Sequence, residues 1–266
     1  MRAAKVLGST DLCSKGLFGG GPLSATHIDA SEKLRCALKL KTESLLAAHL
    51  SPELFARIKF ARRGGTCFNP VFDKKKIIFV HIPKNGGTSI AAYLSGDPTL
   101  TYAHWRLVDY YADSPERAAS YHKFCVVRNP WDRMVSAFYY LKNQPKAVTR
   151  KSVVFAESQV VPWSFTEFVR RLQKEHFLMS WLHFRPQWEY VVYNGVNGMD
   201  SVLRFEELDE DFCNLGDRLG LWNGAPPHLN GSRRKPRYHD YYDEKTKDIV
   251  AKLYADDIAA FGYSFD

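Results

Sequence analysis

Apolar and polar positions follow several rhythms along this chain. Residues 1–29 have none: they are Gly-rich, carry Ser and Thr, and read as a loose arm. From Ser31 to about Leu50 the period becomes helical, with Leu34, Leu38, Leu45 and Leu46 as the apolar positions. Ser51-Pro52-Glu53 has the form of an N-cap and first turn, opening a second, basic helix through Arg62-Arg63 that Gly64-Gly65 stops. Ile77–Val80 is then a β-branched, apolar run of the kind that forms a buried strand, and Lys123–Val127 is another. Lys142 to Val161 reads as a polar insertion, an acceptor-gating loop whose form the sequence does not give. Ser201–Leu208 predicts a third strand leading into a helix, and Val250, Leu253, Tyr254 and Ile258 mark a last amphipathic helix ending at Gly262. The expected fold class is α/β, a P-loop-like parallel β-sheet flanked by helices. An N-terminal arm and helical extension over residues 1–70 precedes a main domain over residues 71–266.

The segment after the first strand changes the picture from fold to chemistry. Pro83-Lys84-Asn85-Gly86-Gly87 supplies turn residues around one cation, and Thr88 and Ser89 stand where they can cap a helix begun by Ile90. A strand, a Gly-containing loop, a lysine, two hydroxyls and a helix N-terminus together make an anion cradle. It is not a Walker A loop, because Lys84 precedes the glycines, so a nucleoside triphosphate is not the favoured ligand. The second strand ends in Arg128-Asn129-Pro130, and Ser136 falls about two turns into the helix that follows. Ligands of α/β sheets gather at the carboxyl ends of strands. An Arg there and a Ser on the next helix can grip one phosphate from two sides.

Taken together, Pro-Lys-x-Gly-Gly-Thr-Ser and Val-Arg-x-Pro-x-x-Arg-x-x-Ser-x-Phe resemble the cofactor motifs of the sulfotransferases that use 3′-phosphoadenosine 5′-phosphosulfate (PAPS). The form is similar to the membrane-type carbohydrate branch, which includes heparan 2-O-sulfotransferase and the chondroitin and dermatan sulfotransferases. The resemblance runs from about Lys76 to the end of the chain. It implies that Lys84, Asn85, Gly86, Gly87, Thr88 and Ser89 hold the 5′-phosphosulfate and that Arg128 and Ser136 hold the 3′-phosphate. Asn85 stands where Thr is common in the family.

Sulfuryl transfer to a hydroxyl needs a base, and a histidine suits that task. The stretch His104-Trp105-Arg106-Leu107-Val108-Asp109-Tyr110 resembles the segment carrying the catalytic histidine of heparan 2-O-sulfotransferase-like enzymes. His104 is therefore the expected base, with Lys84 stabilising the leaving group; a buried histidine packed among aromatics is the structural alternative. His183, in a segment running from Trp181 to Trp188 and dense in residues that recognise sugars, is the rival base, and that segment reads equally as acceptor site or as core helix. His81 either orients the cradle or packs locally. Glu206 reads as structural. Ser232 to Lys235 form a cationic loop that either clamps the 3′-phosphate end or is merely solvated.

Composition narrows the alternatives. With 266 residues, 45% of them hydrophobic, the chain can bury one sizeable α/β core, and a net charge of +8 suits an anionic cofactor and an anionic acceptor. No zinc-finger, RNP-type or helix-turn-helix signature points to nucleic acid. No metal-ligand spacing appears, so no metal is expected. The five scattered cysteines fit reduced thiols. No run reaches the roughly 18 apolar residues of a membrane span and no leader is evident, which predicts a cytoplasmic enzyme; a Golgi lumen location fits only a longer chain. The expected activity is transfer to an acceptor hydroxyl, of a carbohydrate in the first instance. The other readings are a small-molecule or lipid acceptor, a non-catalytic polyanion-binding module, and a nucleotide-dependent kinase.

Overall fold

The computed structural model describes residues 29–63, 65–143, 150–229 and 237–266. Two helices open it, α1 (Ala30–His49) and α2 (Pro52–Arg63), then the short α3 (Pro70–Lys75) delivers the chain to β1 (Ile77–Val80). After α4 (Gly87–Ser95), α5 (Leu107–Asp113) and α6 (Pro115–Ser120) comes β2 (His122–Val127). Helices α7 (Pro130–Asn143), α8 (Arg150–Phe155), α9 (Phe165–Lys174) and α10 (Trp188–Val191) follow, and then a small antiparallel pair, β3 (Val192–Tyr193) with β4 (Val196–Asn197). The chain closes with β5 (Ser201–Arg204), α11 (Leu208–Leu219), α12 (Glu244–Leu253) and α13 (Ala255–Phe261).

The main sheet is parallel, in the order β1-β2-β5. Ile77 to Val80 pair with His122 to Cys125, and Phe124 to Val127 pair with Ser201 to Arg204. Helices cover this sheet, so β1 and most of β2 are buried, which is why both read as unbroken apolar runs rather than alternating ones. This is the expected α/β class. Two apolar clusters flank the candidate site. One surrounds the sheet with Phe72, Phe79, Phe124 and Trp222, and the other surrounds α7 with Phe138, Phe155, Phe168 and Tyr254.

Three local expectations are corrected. Along α1, Leu34, Leu38 and Leu45 remain 61%, 54% and 62% exposed, while Leu40 is the buried leucine; the helix meets α8 through a different face from the one its leucines suggest. The polar insertion is not a simple loop. α7 runs to Asn143, and α8 continues into a π-helical turn over Ala156–Val160, because Phe155 stacks on Trp181 at 3.9 Å and draws the segment into the core. The last amphipathic helix is two helices. Tyr254 leaves helical geometry (φ −118°, ψ 30°) while its hydroxyl donates to the Phe184 carbonyl at 2.6 Å, and the break lets α13 bury Asp257. The N-terminal arm and the cationic loop over Ser232 to Lys235 lie outside the described residues.

Candidate active site

The cradle is built by two left-handed residues. Lys84 (φ 72°) and Gly86 (φ 77°) reverse the chain after Pro83, so that α4 begins at Gly87 with Gly86 as its N-cap. Thr88 and Ser89 are therefore not the caps the sequence suggests; they occupy the first turn, and the Ser89 hydroxyl accepts from the Leu229 amide at 3.4 Å. The first amides of a helix have no partner within it, and they bring the positive end of its dipole to this turn. The Lys84 ammonium sits 3.8 Å from the centroid of the Tyr140 ring.

Gly87 is required by space. A Cβ there would fall 2.0 Å from Cδ2 and 2.2 Å from Nε2 of His81. That imidazole cannot easily yield, because its Nδ1 bonds the Tyr102 carbonyl at 2.8 Å and its ring stacks on Phe79. Gly87→Ala is expected to lower stability by about 1–3 kcal/mol, the usual cost of overpacking, and to weaken anion binding at the turn. A thermal melt and a phosphate-ligand titration would check this; unchanged values for both would contradict the fit.

The second motif braces the first. Arg128 donates through Nη1 to the Lys84 carbonyl (2.9 Å), pairs with Asp132 through Nε and Nη2 (2.7 and 2.6 Å), and lies 3.9 Å above the Phe205 ring. Arg133, fully buried, donates from Nε to the Pro83 carbonyl at 3.1 Å. Glu206 accepts from the Asn129 amide and from the Tyr263 hydroxyl, the structural role expected of it. Asn85 turns its side chain inward, its Nδ2 donating to the Val126 carbonyl and to Gln187 Oε1, both at 2.7 Å. Ser136 lies on the buried side of α7.

Three histidines converge beside Lys84. The His81 and His104 rings lie 4.2 Å apart, and His104 and His183 lie 6.4 Å apart. Asp109, completely buried, accepts from the Arg106 amide at 2.8 Å and so fixes the start of α5 and the loop that presents His104. His104 Nδ1 faces the His81 carbonyl at 2.9 Å. A carbonyl only accepts, so Nδ1 carries the proton and Nε2 is left with its lone pair. His183 has the opposite tautomer: the Trp181 indole, which only donates, bonds its Nδ1 at 3.1 Å, so the proton is on Nε2.

Burial is the first cause that lowers all three imidazoles. It brings His104 down to about 4 against the help of its bond to the His81 carbonyl, with Arg133 and Lys84 repelling the protonated form further. At neutral pH the cluster therefore holds neutral rings beside the Lys84 and Arg133 cations. The cluster thus offers accepting nitrogens at Nε2 of His81, which is packed against Gly87, and at Nε2 of His104, with a donating N–H at Nε2 of His183.

The aromatic segment departs from the sugar-binding expectation. Trp181 and Phe184 are core residues, the former with its face covered by Phe155, so neither is open to a sugar ring. Nor is the segment a core helix; it runs through short turns into α10. Gln187, read from sequence as a sugar-side residue of this segment, instead bonds Asn85 and the Arg128 backbone, and Tyr140, which lies against the Lys84 ammonium, was not singled out. Tyr140 was recoverable from helical spacing, since positions 133, 136 and 140 share one face of α7. Among the described residues no group of three or more His, Cys, Asp or Glu is arranged to hold a metal ion, and no helix is long and apolar enough to cross a membrane.

Compared with known families, the chain matches the model of the sulfotransferase family over residues 70–264. Neither curated proteins nor solved structures give a match.

Proposed function

The chain belongs to the sulfotransferase family, and we propose that it moves the sulfuryl group of PAPS to a carbohydrate hydroxyl, with His104 as the base and Lys84 stabilising the leaving group. The residues present fit the donor. The Lys84–Ser89 turn offers helix amides and an ammonium to the phosphosulfate, and Arg128 and Ser136 stand at the strand end and helix where the 3′-phosphate would be held. When bound, the donor supplies an activated sulfuryl group and a phosphate leaving group.

The observation that carries the reading is the His104 tautomer, with Nδ1 held by the His81 carbonyl so that Nε2 is the accepting nitrogen, on a ring close enough to Lys84 to feel its charge. In the transfer, the S–O bond to phosphate breaks as the bond to the acceptor oxygen forms. The electron pair goes to the phosphate oxygen, where Lys84 and the α4 N-terminus meet the charge. The acceptor proton goes to His104 Nε2. His183 is poorly placed to be the base, because Trp181 occupies its lone pair; its Nε2–H can donate instead. A carbohydrate acceptor, neutral or acidic, is supported by the motif resemblance and by the net charge of +8.

Calorimetric titration with adenosine 3′,5′-bisphosphate, against ATP with magnesium, tests the donor site. Selective binding of the bisphosphate is the expected result, followed by sulfate transfer across a panel of sugar, lipid and phenolic acceptors. Preference for ATP, or binding of neither, would overturn the proposal.

A further inference from the structure

We infer that Gln187 is the positioning residue that sets the spacing between the two phosphate subsites, with Asp257 holding it in place; the inference rests on the nucleotide reading above. Gln187 and Asp257 are both completely buried. The Gln187 amide closes a two-point ring with the backbone of Arg128, its Oε1 accepting from the Arg128 N–H and its Nε2 donating to the Arg128 carbonyl, both at 2.9 Å. The same Oε1 accepts from Asn85 Nδ2 at 2.7 Å. One side chain thus joins the cradle loop to the residue that ends β2.

The sheet itself cannot make this link. Pairing of β1 with β2 ends at Val80 and Cys125, and the two chains then diverge into the two motifs. Beyond that point Asn85 bonds the Val126 carbonyl and Gln187 bonds Arg128, so side-chain amides replace the missing ladder. Gln187 is in turn fixed from behind. Asp257 Oδ2 accepts from the Gln187 amide at 2.9 Å and Oδ1 from the Trp188 amide at 2.7 Å, anchoring the residue to α13. An unmatched polar group in this buried network would be costly, which keeps the geometry narrow.

A ligand that bridges both subsites depends on their spacing, and a ligand using only one does not. The test measures adenosine 3′,5′-bisphosphate and adenosine 5′-monophosphate binding to the wild type and to Gln187→Met, which keeps length and apolar bulk but makes none of the amide bonds. Bisphosphate affinity is expected to fall about tenfold or more while monophosphate affinity stays within about twofold, the scale of losing buried hydrogen bonds to a charged contact's support. A merely structural role would reduce the fraction of protein able to bind, seen as stoichiometry, and leave the affinity ratio alone; that result overturns the inference. Should Gln187→Met fail to fold, Asp257→Asn decides, with a smaller fall in the same ratio expected and an unchanged ratio overturning it. A wild type that does not favour the bisphosphate would instead remove the nucleotide reading itself.

Discussion

Replacing His104 by Ala is expected to reduce sulfate transfer by about 10²–10⁴-fold, the usual contribution of a positioned base, while bisphosphate affinity stays close to wild type. The pH dependence distinguishes this role more sharply than the loss of rate. In the free protein His104 is held down to about 4, first by burial and then by Arg133 and Lys84. Protonation removes the base, so activity falls as pH falls, and kcat/KM reports the free-enzyme value. Its acid limb is expected near 4, with a flat profile from pH 8 to about 5, well below the ordinary histidine range near 6.5. An anion seated on the turn offsets the Lys84 charge that helps to repel the proton, so the limb of kcat should lie higher than that of kcat/KM. Full activity in His104→Ala, or an acid limb of kcat/KM near 6.5, would pass the base role to another group.

Most of the sheet was legible because parallel strands covered on both faces leave continuous apolar runs, as in Ile77–Val80 and Phe124–Val127. The α1 face was not. Its leucines mark a stripe, but which stripe meets the body depends on α8, a six-residue helix too short to show an apolar period of its own. The break at Tyr254 was equally invisible, since the apolar period runs straight through it and the cause is a hydroxyl reaching the distant Phe184 carbonyl. Both are cases in which tertiary contacts decide between locally acceptable conformations.

The site shows the same division. Lys84, Gly86 and Arg128 could be picked from sequence because turn chemistry and strand ends are local, and His104 could be nominated from its neighbours. The tautomers could not, since they are set by the His81 carbonyl and the Trp181 indole. The inward turn of Asn85 was also hidden; its partner Gln187 lies far along the chain and belongs to a segment whose aromatic content suggested sugar binding.

Lys84→Ala is expected to lower kcat by about 10²–10³-fold, the loss typical of removing one preorganised electrostatic donor. The backbone at this position adds a second, opposite signature. Lys84 holds φ at 72°, a left-handed conformation that costs a residue with a Cβ roughly 1–2 kcal/mol and costs glycine little. Ala retains the Cβ and Gly does not, so Lys84→Gly should be more stable than Lys84→Ala by about 1 kcal/mol although both lack the ammonium. Denaturant melts of the two variants beside their turnover would reveal whether strain and chemistry separate in this way. A lysine kept in a conformation that glycine would occupy more comfortably is explained by what its ammonium does at the turn. Lys84→Arg should not restore the rate, because a planar guanidinium extending past the Tyr140 ring cannot place its charge where the compact ammonium sits. Near-wild-type turnover in Lys84→Gly would remove the leaving-group role and leave the turn as an anion-binding element only.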